Sequence, residues 1–286
     1  MTGRIMLALL VVIPAALAYP WQRTLDWWLL GIAIVVVIVV FSWWRGEFLT
    51  TVAARRARLL RRGSEPRHQV QHTGEDAHTT VVLRVFGEQE LPLATLAGYL
   101  DCYGICCDSV RITHRDTPSG RTTWIGLTLS AAANLPALQA RSADIPLRAT
   151  AEVTARRLAD HLRELGWSVS TVDVDIPDVL GPDSKERWRA MQDGEQGYLA
   201  CYSVPADTEL RQTLGELRSV GAVELWTAVE LSGAPARPDM TAVCAVRTDE
   251  LPTAAPLPKL GHLRGHQRRV VTALHPESTQ RLALRT

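Results

Sequence analysis

The chain has 286 residues, more than one typical domain needs, and is 47% hydrophobic; its formal net charge of +1 hides a strong partition. Residues 1–67 set nine arginines against Asp26, Glu47 and Glu65, residues 252–286 set six basic side chains against Glu277, and the residues between are net −10. That acidic body would be repelled by a phosphate backbone and held off an anionic leaflet, which argues against nucleic-acid binding through it. Five cysteines, an odd number without paired spacing, exclude a secreted disulfide scaffold and point to a reducing cytoplasm.

Residues 5–18, IMLALLVVIPAALA, are continuously apolar, and Tyr19, Pro20 and Trp21 extend them to roughly the 17 residues that just cross a bilayer. Arg4 and the Ala16-Leu17-Ala18 triplet also fit a cleavable signal peptide. A second apolar run begins within ten residues, however, and would leave no soluble protein to release. That run, from Trp27 to Trp44, contains LLGIAIVVVIVVFS and is bracketed by Trp27-Trp28 and Trp43-Trp44, an interfacial aromatic belt at each end. The predicted unit is a transmembrane hairpin over residues 1–46, with helices at about 4–21 and 27–44 and Trp21, Trp27, Trp28, Trp43 and Trp44 at the interface. The connector PWQRTLD is near neutral, whereas Arg45 and an arginine cluster follow the second helix, so both termini are expected in the cytoplasm of a multi-pass plasma (inner) membrane protein. Neither apolar run holds an ionisable residue, which argues against an independent channel or transporter and for anchoring beside other helices.

Residues 47–62 are read as a basic amphipathic extension of the second helix. Phe48, Leu49, Val52, Leu59 and Leu60 recur at helical spacing while Arg55, Arg58 and Arg62 fall largely elsewhere. Orientation needs fewer arginines than Arg45, Arg55, Arg56, Arg58, Arg61 and Arg62 together, and each contributes about 1 kcal/mol near an anionic surface. The surplus points to lipid headgroups or an acidic partner surface. Residues 63–78, GSEPRHQVQHTGEDAH, form a polar linker, too unstructured to preorganise His68, His72 and His78 as metal ligands.

The rest is predicted to be a cytoplasmic mixed α/β domain, so the whole chain is α+β in class. In a first lobe, 79–180, strands are expected at 79–85, 109–115, 121–129 and 167–174, with helices at 91–103 and 147–165, the second stopped by Gly166. This is the split β-α-β-β-α-β order of ferredoxin-like sheets. A second lobe, 181–251, starts the order again: a strand at 197–204, a helix at 207–217 capped by Asp207, and paired strands at 222–231 and 240–248. It reads as a degenerate duplication or as the continuation of one mixed sheet. Residues 252–286 are read as a basic C-terminal tail.

Signatures of chemistry are weak. Neither G-x-x-x-x-G-K-[ST] nor G-x-G-x-x-G occurs, which argues against a nucleotide-driven motor. Asp173-Val174-Asp175 could present two carboxylates on one strand face, as in metal-dependent transferases of nucleotide sugars, but lacks a basic clamp or a companion base. Cys102, Cys106 and Cys107 lack a second zinc-binding pair and are read, with Cys201 and Cys244, as small buried hydrophobes. His262 and His266 follow Gly261 and Gly265, which weaken any shared helix. Trp188, among Lys185, Arg187 and Arg189, is read as a partner contact or as a loop packed on its own domain. No catalytic, cofactor or metal residue is assigned.

The Trp-bracketed hairpin ending in WWRGEFLTT, the Arg-rich exit and the β-α-β cytoplasmic domain together resemble the EccE family of actinobacterial type VII (ESX) secretion systems. The resemblance implies a non-enzymatic core membrane component assembled with EccB, EccC and EccD, with the EccC ATPase supplying energy. In length and hairpin the chain is most similar to the member of the metal-acquisition ESX system. The alternative is a membrane-anchored, metal-dependent glycosyl- or nucleotidyl-transferase acting through Asp173 and Asp175.

Overall fold

The computed structural model describes residues 77–87, 90–142, 145–171 and 175–282, together with Trp43–Trp44 and Glu47–Phe48. The chain divides into two compact units, Met1–Ser64 and Glu65–Thr286. In the first, β1 (Trp43–Trp44) pairs antiparallel with β2 (Glu47–Phe48), Trp43 opposite Phe48. The chain is therefore extended at the tryptophan pair, where an uninterrupted helix was expected to run on into the basic segment. The remainder of both predicted membrane helices, and of the extension at 47–62, lies outside the described residues. Among the described residues no helix is long and apolar enough to cross a membrane.

The second unit is built on an 11-stranded sheet whose paired strands are all antiparallel, not mixed. Its first half contains β3 (His78–Phe86), α1 (Leu93–Gly98), β4 (Asp101–Cys102), β5 (Ile105–Thr117) and β6 (Gly120–Ser130). It continues through α2 (Leu135–Gln139), α3 (Leu147–Glu164) and β7 (Ser168–Ser170). The strand order β7-β3-β6-β5 is the split βαβ arrangement expected from the sequence. The second half adds β8 (Lys185–Glu186), β9 (Met191–Gln192), β10 (Tyr198–Val204), α4 (Leu210–Ser219), β11 (Glu224–Ala234), β12 (Arg237–Thr248), β13 (Gly261–His262) and α5 (Gln267–Leu274). Its order, β11-β12-β10 with β13 on the free side of β10, repeats the first half in outline. The halves join where β5 pairs with β11, from Val110 opposite Leu231 to Asp116 opposite Leu225, so the two predicted lobes share one sheet.

Local chemistry sets the boundaries. Helix α1 is shorter than expected because Tyr103 and Gly104 both take positive φ, 56° and 72°, the two-residue turn that a tight hairpin favours. The hairpin sets Asp101 opposite Cys106 and starts a strand where helix had been read. Gly166, at φ 91°, ends α3 as predicted, and the Trp167 amide donates back to the Leu162 carbonyl at 2.9 Å. Strand β7 spans Ser168–Ser170 and is shorter than the predicted 167–174.

Alternation along the strands then divides the core. Directly opposed residues share a face, so Val110 and Ile112 of β5 point the same way as Leu231 and Val229 of β11. That face is covered by α1, by α3 through Ala151, Ala155, Leu158 and Leu162, and by α4 through Leu210 and Leu217. Each fully buried leucine there contributes about 1.5–3 kcal/mol. The opposite face carries Val82, Trp124, Trp226, Ala228 and Val243 beneath Val270, Val271, Ala273 and Leu274 of α5. The expected basic tail is therefore largely a structural layer. Gly126 lets it approach: a Cβ at that position would lie 2.8 Å from the Pro276 carbonyl oxygen.

Candidate functional site: charged seams under the C-terminal segment

Most residues picked out from the sequence as contact sites lie outside the described residues: Trp21, Trp27, Trp28, Arg45, Arg55, Arg56, Arg58, Arg61 and Arg62. Trp188 is half-buried, and its ring packs so closely on Gly265 that a Cβ there would fall 2.8 Å away. It is fixed within its own domain. Asp173 lies outside the described residues and Asp175 is exposed. His262 sits in β13 while His266 precedes α5, so no single helix presents the two imidazoles together. Cys107, Cys201 and Cys244 are buried as expected, Cys102 is half-buried, and Cys106 is exposed, because the tight hairpin turns it outward. Among the described residues no cluster of His, Cys, Asp and Glu has metal-site geometry.

The buried charged groups that the fold brings together sit on the sheet face that α5 covers. Arg111 of β5 and Glu230 of β11 are cross-strand partners, each only 1–2% exposed. The Arg111 guanidinium donates to Glu230 Oε2 at 2.7 and 3.1 Å, and to the carbonyls of Ala273 at 2.7 Å, Ser278 at 3.1 Å and Gln280. From the other side Arg281 Nε donates to Glu230 Oε1 at 2.8 Å, while its Nη1 reaches the Asp108 carbonyl at 2.9 Å. A buried guanidinium is tolerated only when its donors are filled, and here the backbone of residues 273–280 fills them. This seam fastens the C-terminal segment across the middle of the sheet.

A second seam lies toward the other end of β11. Glu224 accepts from Arg115 Nε and Arg247 Nε, both at 2.6 Å. Arg247 also donates to Asp193 Oδ2 at 2.8 Å and to the Val179 carbonyl at 2.9 Å, and Asp193 Oδ1 accepts from the Gly181 amide at 2.8 Å. Burial alone would push the Glu224 carboxyl up, but the two arginines outweigh it and hold it below its ordinary value. Trp124 and Trp226 stack on the same face with centroids 5.7 Å apart, and the Arg115 guanidinium lies 5.6 Å over the Trp226 ring. His114, half-enclosed and bonded to Thr123 Oγ1 at 2.9 Å, is lowered to about 4 by burial and by Arg121, so it is neutral at pH 7.

Chemically, these groups neutralise one another and satisfy backbone carbonyls. They make a rigid platform by tying two irregular segments to the sheet. Sequence reading missed them because it treated Arg111 and Arg115 as strand residues without asking what opposed them. A signal was present. Arg111 and Arg115 fall on one strand face, as do Glu224 and Glu230; Arg111, Glu224 and Glu230 each lie between apolar neighbours that predict burial, and opposite charges on two such strands call for pairing.

Comparison with known proteins bears on the whole chain. Residues 117–204, from the β5–β6 turn through β10, match the family model described as "Putative type VII ESX secretion system translocon, EccE". The chain is 50% identical over 286 residues to the ESX-3 secretion system protein EccE3 of Mycolicibacterium smegmatis, covering 99% of this chain and 90% of that protein. It is 48% and 47% identical over 290 residues to the ESX-3 secretion system protein EccE3 of two Mycobacterium tuberculosis strains, covering 98% of this chain and 86% of those proteins. Identity of this extent spans the apolar N-terminal runs, the sheet and the clamped C-terminal segment alike, and on it the chain belongs to the EccE family of type VII (ESX) secretion system components.

Proposed function

We propose that this chain is a non-enzymatic structural subunit of an ESX membrane complex, of the ESX-3 type, in the inner membrane. The observation that carries the reading is the 50% identity over nearly the full length to a protein named as an ESX-3 secretion component. In this reading residues 1–46 form a two-helix hairpin that packs on partner transmembrane helices, with both termini cytoplasmic. The second unit docks on cytoplasmic parts of EccB, EccC and EccD type subunits. A platform with its charges internally paired suits this role, since a docking surface gains from being preorganised before its partner arrives. The transferase alternative has no observation in its favour: Asp175 is exposed, and Asp173 lies outside the described residues.

The arginines after the second apolar run test how the unit is held. Arg55, Arg56 and Arg58 exceed what orientation requires, whereas Arg45, Arg61 and Arg62 suffice for it. Changing Arg55, Arg56 and Arg58 to glutamine is expected to leave membrane insertion intact, read by alkali extraction, and to reduce recovery of partner subunits with the tagged chain. Undiminished recovery would mean that these three arginines serve orientation alone.

A further inference from the structure

We infer that the basic corner formed by β8, β13 and the start of α5 docks a carboxylate-rich segment of a partner protein; this rests on the reading of the chain as a subunit that docks partners. Residues 183–192 and 261–269 carry Lys185, Arg187, Arg189, Arg264, Arg268 and Arg269 against Asp183 and Glu186, net +4, while the rest of Glu65–Thr286 is net −9. The fold brings these two stretches together. Strands β9 and β13 both pair with β10, Met191 opposite Leu199 and His262 opposite Tyr202. Between the stretches the Gly265 amide donates to the Trp188 carbonyl at 3.0 Å, and Arg268 Nη2 donates to the Ser184 carbonyl at 2.8 Å. The Arg268 amide also donates to Glu186 Oε1 at 3.2 Å.

What sets these cations apart is that none is matched. Among the described residues no ion pair joins any of the six to a carboxylate, whereas Arg121, Arg218, Arg247 and Lys259 each hold one or two. Arg189 and Arg264 converge on the His262 imidazole: burial first, and then these two guanidiniums, hold it below its ordinary value. Lys185, Arg187, Arg264, Arg268 and Arg269 are exposed. Strand β8 ends the sheet, and a lysine there guards the edge against unwanted pairing. That accounts for Lys185 alone, since the arginines lie off the strand. The corner is also preorganised. The Arg187 amide donates to the Ala190 carbonyl at 2.8 Å, its guanidinium donates to Gln192 Oε1 at 2.9 and 3.1 Å, and Trp188 packs on Gly265.

The occupant follows from the chemistry. Guanidinium forks meet carboxylates two bonds at a time, and complementary charge fixes register and speeds encounter at an interface. A bilayer is disfavoured. None of the exposed large hydrophobic side chains among the described residues falls in either stretch, so nothing here would enter the headgroup layer, and the acidic remainder would be held off an anionic leaflet. A nucleic-acid duplex would meet the same acidic remainder. A short acidic segment touches the basic corner alone.

Lys185, the one lysine of the corner, reports its cover. Full-length protein is acetylated with an N-hydroxysuccinimide ester, alone and within the purified complex, each in nanodiscs of neutral lipid, and the modified lysines are read by mass spectrometry. Lys185 should react about tenfold more slowly in the complex, recover in high salt, and be joined by a zero-length carbodiimide to an aspartate or glutamate of another subunit. Arg264→Glu with Arg269→Glu should remove both the protection and the coupling. Arg156→Glu with Arg237→Glu, an equal charge change on exposed side chains elsewhere, should leave both within about twofold. Coupling only to a carboxylate of this same sequence would assign the corner to a second copy, and slowing of Lys185 by anionic nanodiscs alone would assign it to lipid; either overturns the proposal. Equal reactivity of Lys185 in the two states, in a complex that still contains secretion subunits, overturns the docking and leaves the subunit reading standing. Purification of the chain without such subunits overturns both.

Discussion

Arg111→Ala is expected to destabilise the second unit by about 3–5 kcal/mol, because it leaves Glu230 short of a buried partner and strands the carbonyls of Ala273, Ser278 and Gln280. For a unit of this size that corresponds to a fall of about 10 °C in the melting temperature. The loss should be read from Trp fluorescence of the full-length protein, since Trp124 and Trp226 lie on the face that the C-terminal segment covers. Arg111→Lys retains the charge but not the planar fork that meets a carboxylate and several carbonyls at once. It should fall between wild type and alanine. A melting temperature within a degree or two of wild type for Arg111→Ala would show that residues 273–282 are held by apolar packing alone.

Glu224→Ala should cost a similar amount, about 3–5 kcal/mol, by releasing Arg247 and Arg115 together in a buried setting. The isosteric Glu224→Gln gives a cleaner signature in pH. Because the folded-state carboxyl is held below its ordinary value of 4.5, the unfolded chain takes up the proton first as pH falls. The stabilisation is complete above pH 4.5 and is lost as pH drops through the lower folded value. Wild type should therefore lose melting temperature more steeply than Glu224→Gln below pH 4.5, while Glu224→Gln should be the less stable protein at pH 7. Parallel profiles would remove Glu224 from the account.

Much of this architecture was legible because local signals agreed with one another. Gly166, the Ala and Leu stripe from Ala151 to Leu165, and the TPSG turn each fixed an element within a few residues. The hairpin at Tyr103–Gly104 was misread because Leu93, Leu96, Ala97 and Leu100 continue a helical rhythm past the helix; the positive φ at Tyr103 is a tertiary outcome that no propensity marks. The role of the tail was hidden for another reason. Arginine-rich composition suggests a solvated arm, yet Arg281 is spent on Glu230 and Asp108, and Val270, Val271, Ala273 and Leu274 are buried. The seams depend on which strand meets which. That pairing of β5 with β11, more than 100 residues apart in sequence, is a fact of topology and not of periodicity.

The claim that this chain is a structural subunit of a type VII membrane complex is tested most directly by purifying the tagged full-length protein from its own cells in mild detergent and identifying what accompanies it. The account predicts a large assembly containing EccB, EccC and EccD type subunits of one ESX system, in which this chain contributes no turnover of its own. Recovery of the chain alone, or with a soluble sugar or nucleotide pathway in place of secretion subunits, would contradict it.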